Sequence, residues 1–495
     1  MVSNIPGGIV APLLAFDVES GGQFQSETRM ILLGNGLSSG ALAAGSIALC
    51  GSMAEARVLA GRGSMLESMF IRARRNAPSQ EIWLGRVADG ATAQVRTVTV
   101  GTVPAAGGQG VLSIAGEDVS VNVAAGDNAA AVAAALRDAI NAYINPVTKI
   151  SLPFTATASS NVVSLTARHG GTYANAIDVF VPTLEGGNVF AGLFTFAVGT
   201  AGAGVPDVAA VLAAMGDDPF EIVVSAFGDD SNRAKLDNFH SNSSGRWSYA
   251  QQLYGHVFYP RTDSVANLAT AGLGRDSWHL TLIPLMAAAA GMARPDYEFV
   301  SAVVARLAPF FDGGSTGLVS VNQSGLEVVD MIAPRDRDYW PDYATRDSLL
   351  KNGVSTWKVD RSGRILIDKI ITQQQTTNDV PDTALRDIQA VYQITYALKY
   401  FRAQLAFEHS NKAIVDDNPA NLDALRTPRD IRATLINSTI ELQQRGVLEA
   451  SNAVLDQITV TRNADNPNRV DIVLPMDRAN PLDIFAGLAR VYAET

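Results

Sequence analysis

The sequence predicts an α/β core, doubly wound with helices on both faces of a mainly parallel sheet. A β-rich module interrupts this core, and an α+β C-terminal domain follows it. Three observations carry this reading. Short apolar runs alternate with capped helical stretches before residue 90 and again after 205, the order expected of a parallel sheet covered on both faces. Between them the texture changes to short alternating strands parted by Gly, Ser and Asn turns. From about residue 380 a long helical stripe is followed by two alternating strands. The chain therefore divides into an N-terminal arm (1–22), a split core (23–90 and 205–375), an inserted module (91–204) and a C-terminal domain (376–495) ending in a further strand.

The arm "NIPGGIVAPLLAFDV" has an extended apolar run, including Ile9, Val10, Leu13 and Leu14, between the joints Gly7-Gly8 and Gly21-Gly22. "RMILLGNG" (29–36) reads as a buried strand entering a glycine loop. Ser52 and Ser64, each three residues ahead of a Glu, match the capping box and start two helices. "EIWLGRV" (81–87) is the next strand. In the module, "VRTVTVG", "GVLSIAG", "DVSVNVA", "FTATASS", "VVSLTAR" and "NAIDVFVP" are strands. One helix sits among them, capped by Asp127 or Asn128, with a stripe of Val132, Leu136, Ile140 and Tyr143. After 205, helices near 206–215, 231–243 and 263–272 alternate with strands near 220–227, 253–259 and 278–283. The helix over 383–411 has an apolar seam of Val391, Ile394, Leu398, Phe401 and Leu405, flanked by Tyr392, Tyr396 and Tyr400. Thr427 as cap, Pro428 at the first helical position and Gly446 as stop bound the next helix. Strands at 456–463 and 469–476 follow.

A chain of 495 residues is too long for one core, which agrees with several domains. At 47% apolar and 18% charged residues it is a folding, not a disordered, composition. The net charge of −11, with no basic face in view, argues against nucleic acid. Cys50 is the lone cysteine, so no internal disulfide is expected. The start "MVSNIPGGIV" lacks the basic n-region of a signal peptide. The longest apolar stretch, 280–293, is broken by Pro284 and Gly291 and is too short to cross a bilayer. No membrane insertion is expected, and the product is expected to be cytosolic where it is made.

No reaction centre emerges. The five histidines (169, 240, 256, 279 and 409) show no metal-ligand spacing. "GNGLSSG" (34–40) matches neither the dinucleotide fingerprint nor a P-loop, so a nucleotide-dependent α/β enzyme is the weaker alternative. "GSMA" (51–54) and "RHGGT" (168–172) echo the serine and histidine segments of subtilisin-like proteases. The threonine of that motif is missing, however, and Ser52 already serves as a helix cap. No catalytic residue, cofactor or metal is expected.

The end of the chain, "IFAGLARVYAET", is apolar on both sides when read as a strand, with Phe485, Leu488 and Val491 among its large side chains. A tethered apolar strand can add to the sheet edge of a neighbour; the alternative is that both termini pack back onto their own chain. If every copy donates and receives, the contact is heterologous and builds rings or a helical tube. Arg426, Arg429 and Arg432 cluster at a helix start, where cations oppose the helix dipole, so they suggest a surface for an acidic partner, with a solvated basic face as the equal alternative.

Several stretches resemble the tail sheath proteins of contractile bacteriophages, in the Mu-like branch. "GRGSMLESM" (61–69), "EIWLGRV" in the place of the following strand, the insertion 110–142 and "LLKNGVSTWKVDRSGRILIDKIITQ" (349–373) carry the resemblance. In the last segment Lys369 and Gln373 replace the residues expected. The resemblance implies a core subtilisin-like by fold only, with the insertion facing outward. It implies stacked rings of one chain around a tail tube, with terminal arms meshing between copies. It further implies baseplate and tail terminator partners, assembly in the host cytoplasm, a place in the virion tail, and contraction that drives the tube through the host envelope. The remaining alternative within this class is another virion tail component.

Overall fold

The computed structural model describes residues 28–102, 106–286, 294–334 and 336–492. Ile9, Val10, Leu13 and Leu14 of the N-terminal arm lie outside the described residues. Strand β1 (Arg29–Asn35) is buried from Met30 onward. It is followed by β2 (Ile47–Cys50), α1 (Met53–Ala60), α2 (Met65–Asn76) and β3 (Glu81–Val87). Then come β4 (Ala93–Val100), β5 (Gly108–Ile114), β6 (Glu117–Val123), α3 (Ala129–Ala142), β7 (Phe154–Ser159), β8 (Val162–Gly170), β9 (Val179–Phe180) and β10 (Phe194–Thr200). The chain continues through α4 (Ala209–Ala214), β11 (Ile222–Ser225), α5 (Asp230–His240), β12 (His256–Asp263), α6 (Val265–Leu273), β13 (Leu280–Met286) and α7 (Asp296–Phe311). Strands β14 (Glu327–Ile332), β15 (Thr356–Val359) and β16 (Arg364–Lys369), with α8 (Tyr343–Lys351), lead to the long helices α9 (Ile388–His409) and α10 (Pro428–Gln444).

The main sheet has the order β13-β12-β11-β1-β3-β2. Its first five strands pair in parallel, with Leu32 of β1 opposite Leu84 on one side and Val224 on the other. Two glycines locate its cover. A Cβ on Gly34 would meet Met69 and Leu66 of α2, whereas one on Gly85 would meet Val211 of α4. Gly34 and Leu33 point to opposite faces, and Leu33 shares its face with Gly85. Helices therefore cover both sides, which is why β1 is a continuous apolar run rather than an alternating one. Strand β2 is a short antiparallel edge against β3. Its four residues, IALC, gave no strand pattern in the sequence. Helix α7 also escaped notice. It packs on α2 and is almost wholly buried, so no polar face marks its period.

The capping boxes form with one change. Ser52 and Ser64 accept from the N–H groups of Glu55 and Glu67, but each glutamate reaches past its serine to the N–H of Gly51 or Gly63. The module helix α3 is capped by Asn128, which accepts from Ala131 N–H at 2.9 Å, while Asp127 closes the preceding turn.

Residues from Val98 to Leu193 build a hydrophobic cluster distinct from that of the main sheet. Two sheets, β10-β4-β8-β7 and β6-β5-β9, enclose it with α3. A bridge between Thr92 and Ala203 closes the neck. The two clusters are joined by charge as well as packing. Glu117 of β6 is buried against Arg294, accepts from Tyr143 at 2.5 Å and Asn145 at 2.7 Å, and lies 3.6 Å from the fully buried Arg72. Arg72 in turn donates to Glu298 of α7 at 2.7 Å.

In α9 the face that packs is not the aliphatic seam. Val391 and Phe401 are buried, but Ile394, Leu398 and Leu405 are only partly covered, and the row Tyr392, Tyr396 and Tyr400 is buried. Each tyrosine hydroxyl has a partner: Tyr392 donates to the Glu221 carbonyl at 3.1 Å, Tyr400 donates to Glu441, and Tyr396 accepts from Arg445 at 2.8 Å. A satisfied hydroxyl lets a large ring be buried without the cost of a lost hydrogen bond. Helix α10 begins with a full capping box between Thr427 and Asp430. Beyond it, Thr459–Arg462 and Val470–Val473 form a two-stranded hairpin, and Leu448–Glu449 pairs with Asp477–Arg478.

Candidate assembly surface

The residues that echo hydrolase chemistry are all in structural use. His169 is buried. Its Nε2 accepts from Met65 N–H at 3.1 Å, and its Nδ1 faces Asp89 Oδ1 at 2.9 Å. An Nε2 that accepts leaves the ring proton on Nδ1, pointed at Asp89. His169 therefore caps the first turn of α2 and pins the neck of residues 92–203 to the core; it does not stand as a base beside a nucleophile. Ser52 and Ser64 cap helices, as described. The loop 34–40 is no phosphate cradle. Its Leu37 N–H and the following Ala41 and Leu42 N–H groups are given to the terminal carbonyls of α1 at 2.8–2.9 Å, and a Cβ on Gly40 would lie 2.4 Å from the Leu59 oxygen. Gly40 is thus a close-packing glycine.

His240, His256 and His279 lie buried near Trp247 and Trp278, whose rings meet edge to face at 4.5 Å. Burial pushes His240 down to about 3 and His279 to about 4, and holds His256 well below its ordinary value. His240 Nε2 and His279 Nδ1 have no hydrogen-bond partner among the described residues. Among the described residues no group of His, Cys, Asp and Glu is arranged to hold a metal ion. None of the helices among them is long and apolar enough to cross a membrane.

The feature left unexplained by the chain's own packing is its C-terminal segment. Residues 479–492 form no helix or strand. Phe485 is 86% exposed, Leu488 81% and Val491 95%, with Ile484 and Tyr492 similarly bare. A strand needs a partner for its N–H and C=O groups, and beyond residue 483 the described residues supply none to the segment. Nearby, the two-stranded hairpin 459–473 leaves Ile472 and Val473 exposed; a ladder of two strands is marginal in isolation.

The three arginines separate. Arg432 donates to the carbonyls of Ile458 at 2.7 Å and Leu455 at 3.2 Å, so it ties α10 to the turn before the hairpin. Arg426 pairs with Asp423 at 3.0 Å. Arg429 is the exposed member. Arg432 thus has a structural reason to sit near the helix start despite the helix dipole, which sequence spacing could not show.

The fold is a mainly parallel α/β sheet carrying a β-rich insertion, with an extended apolar segment left bare at one end of the described residues. No protein-family model matches it. Along nearly its whole length the chain resembles a tail sheath protein: it is 25% identical over 495 residues to the Mu-like prophage FluMu tail sheath protein of Haemophilus influenzae, covering 98% of both chains. The crystallised sheath tail protein of Desulfitobacterium hafniense matches in fold, with a TM-score of 0.50 at 13% identity, over 95% of this chain and 97% of that one. That of Listeria innocua aligns over 92% and 93%, with a TM-score of 0.47 at 13% identity.

Proposed function

We propose that the chain is the structural subunit of a contractile tail sheath, which polymerises as stacked rings around a tail tube and contracts to drive the tube through a host envelope. The observation that carries this is the similarity to a tail sheath protein over 98% of both chains. The exposed apolar segment after residue 483 supplies the physical means. Added to the edge of a neighbour's hairpin, it would bury Phe485, Leu488 and Val491 and gain backbone hydrogen bonds worth about 1 kcal/mol net each. Ile9, Val10, Leu13 and Leu14 would serve the same mesh from the N-terminal arm.

In this reading residues 23–90 and 205–375 form a core that is subtilisin-like by fold only and has no hydrolytic role. Residues 91–204 form the outward layer, and residues 376–495 line the inner, assembling side. The partners are copies of the chain, the tail tube, and the baseplate and terminator proteins. Assembly would take place in the host cytoplasm, and no nucleotide would be consumed, since contraction would draw on a better-packed final state. Negative-stain electron microscopy of the purified chain tests this. Tubes or stacked rings are expected, and monomers that persist at high concentration would refute it.

A further inference from the structure

We propose that Asn322 and Lys369 clasp the root of the C-terminal segment and set the point and direction from which it leaves the subunit; this rests on the arm-exchange reading above. The chain is held in steps as it approaches its end. Asp477–Arg478 pairs with Leu448–Glu449, and Gln393 Nε2 donates to the Ala479 carbonyl at 2.7 Å. Asn322 Nδ2 then donates to both the Leu482 carbonyl and Asp483 Oδ1, each at 2.9 Å. Lys369 closes the clasp. Its ammonium pairs with Asp483 and, at 3.1 Å, with Asp387 at the start of α9. Asp387 is fixed in turn by Arg478 at 3.7 Å. The large apolar side chains on both sides of this point are bare, Leu482 as well as Ile484 and those after it, so the hold on the chain here is polar.

The residues involved come from three distant parts of the chain: the loop before β14, the end of β16 and the tail. Fixing the root at residue 483 confines the search of the free segment to nine described residues pivoting about one point, which lowers the entropy lost when it joins a neighbour. A long flexible lysine suits this task because it can bridge two carboxylates at once. Lys369 is also one of the two positions at which the 349–373 segment departs from the residues its family resemblance suggests. The other, Gln373, is buried, accepting from Tyr259 at 2.6 Å and donating to the Ala271 and Gly272 carbonyls.

Spin labelling of the full, unassembled chain tests the clasp. Cys50 is buried with its thiol pushed up to about 12, so a nitroxide reagent reacts at an introduced cysteine. With the clasp intact, a label at Ile484→Cys is expected to be restricted and one at Val491→Cys mobile. Lys369→Met with Asn322→Ala should make the two positions equally mobile and lengthen the assembly lag several-fold, with the melting temperature nearly unchanged. Asp483→Asn should act in the same direction and add little on top of Lys369→Met, because both remove one contact. Equal mobility at 484 and 491 in the parent chain, or an unchanged spectrum at 484 after the substitutions, would overturn the clasp. A chain stopped at Asp483 reads the arm itself. If that chain assembles normally the arm-exchange reading fails, whatever the labels report.

Discussion

Leu488→Ala separates a side chain that serves assembly from one that serves folding. In the free chain Leu488 is 81% exposed, so truncation removes few contacts. The expected stability change is below about 0.5 kcal/mol, as for other surface substitutions, and a shift of melting temperature under about 2 °C. If the same side chain is buried in a neighbour, its loss costs about 2–5 kcal/mol, as in a protein core. At about 1.4 kcal/mol per decade, that raises the concentration needed for assembly about 30-fold or more. The expected pattern is an unchanged melt and a strongly displaced assembly threshold, read by circular dichroism and by sedimentation of one sample. Leu488→Asp should abolish assembly outright, because it places an unpaired charge in an apolar contact. A melt lowered by many degrees would mean that the segment packs on its own chain. An unmoved threshold would mean that it meets no neighbour, and either result defeats the reasoning.

Three further outcomes are expected. Acid should destabilise the chain through His240 and His279: their folded values lie below that of the unfolded chain, so the stability of the neutral state is present above about pH 6.5 and is lost as pH falls toward 4 and 3. The loss is about 2–3 kcal/mol per histidine by pH 4.5, and urea melts across this range should show it shrink when His240 is replaced by an uncharged residue. Glu117→Gln leaves Arg294 buried without its counter-charge and should cost about 3 kcal/mol or more, whereas the double change with Arg294→Met should recover much of it, since Arg72 keeps Glu298; denaturant midpoints decide. Arg429→Glu should weaken co-sedimentation with tail tubes and leave the melt alone, while Arg432→Ala should lower stability by about 1.5–3 kcal/mol through its two lost carbonyl contacts.

Local chemistry was legible where a residue acts on its own neighbourhood. Ser52, Ser64, Asn128 and Thr427 declared their helices, because a cap and its N–H partner lie within three residues. Strand 81–87 and the hairpin near 459–473 followed from apolar runs and alternation. Several elements were not read from the sequence, among them β10, α8, β2 and α7. Strand β2 is too short to show a period, and α7 is so deeply buried that its polar face is lost. The aliphatic seam of α9 named the wrong face, because a tyrosine is apolar enough to bury only when its hydroxyl is met. Those partners, Glu221, Glu441 and Arg445, lie far along the chain.

The bare segment at the end was visible in the sequence as a strand apolar on both sides, since burial demand depends only on side-chain composition. That the described residues leave the demand unmet depends on where every other element ends. The separation of Arg426, Arg429 and Arg432 was likewise hidden. Their charge and spacing are alike, and only the position of the carbonyls of Leu455 and Ile458 makes one a tie and leaves another exposed. The same holds for Glu117, Arg72, Arg294 and Glu298, whose mutual neutralisation brings together groups up to 226 positions apart. Composition and period report what each segment needs; long-range geometry decides which needs are met within the chain and which are left for a neighbour.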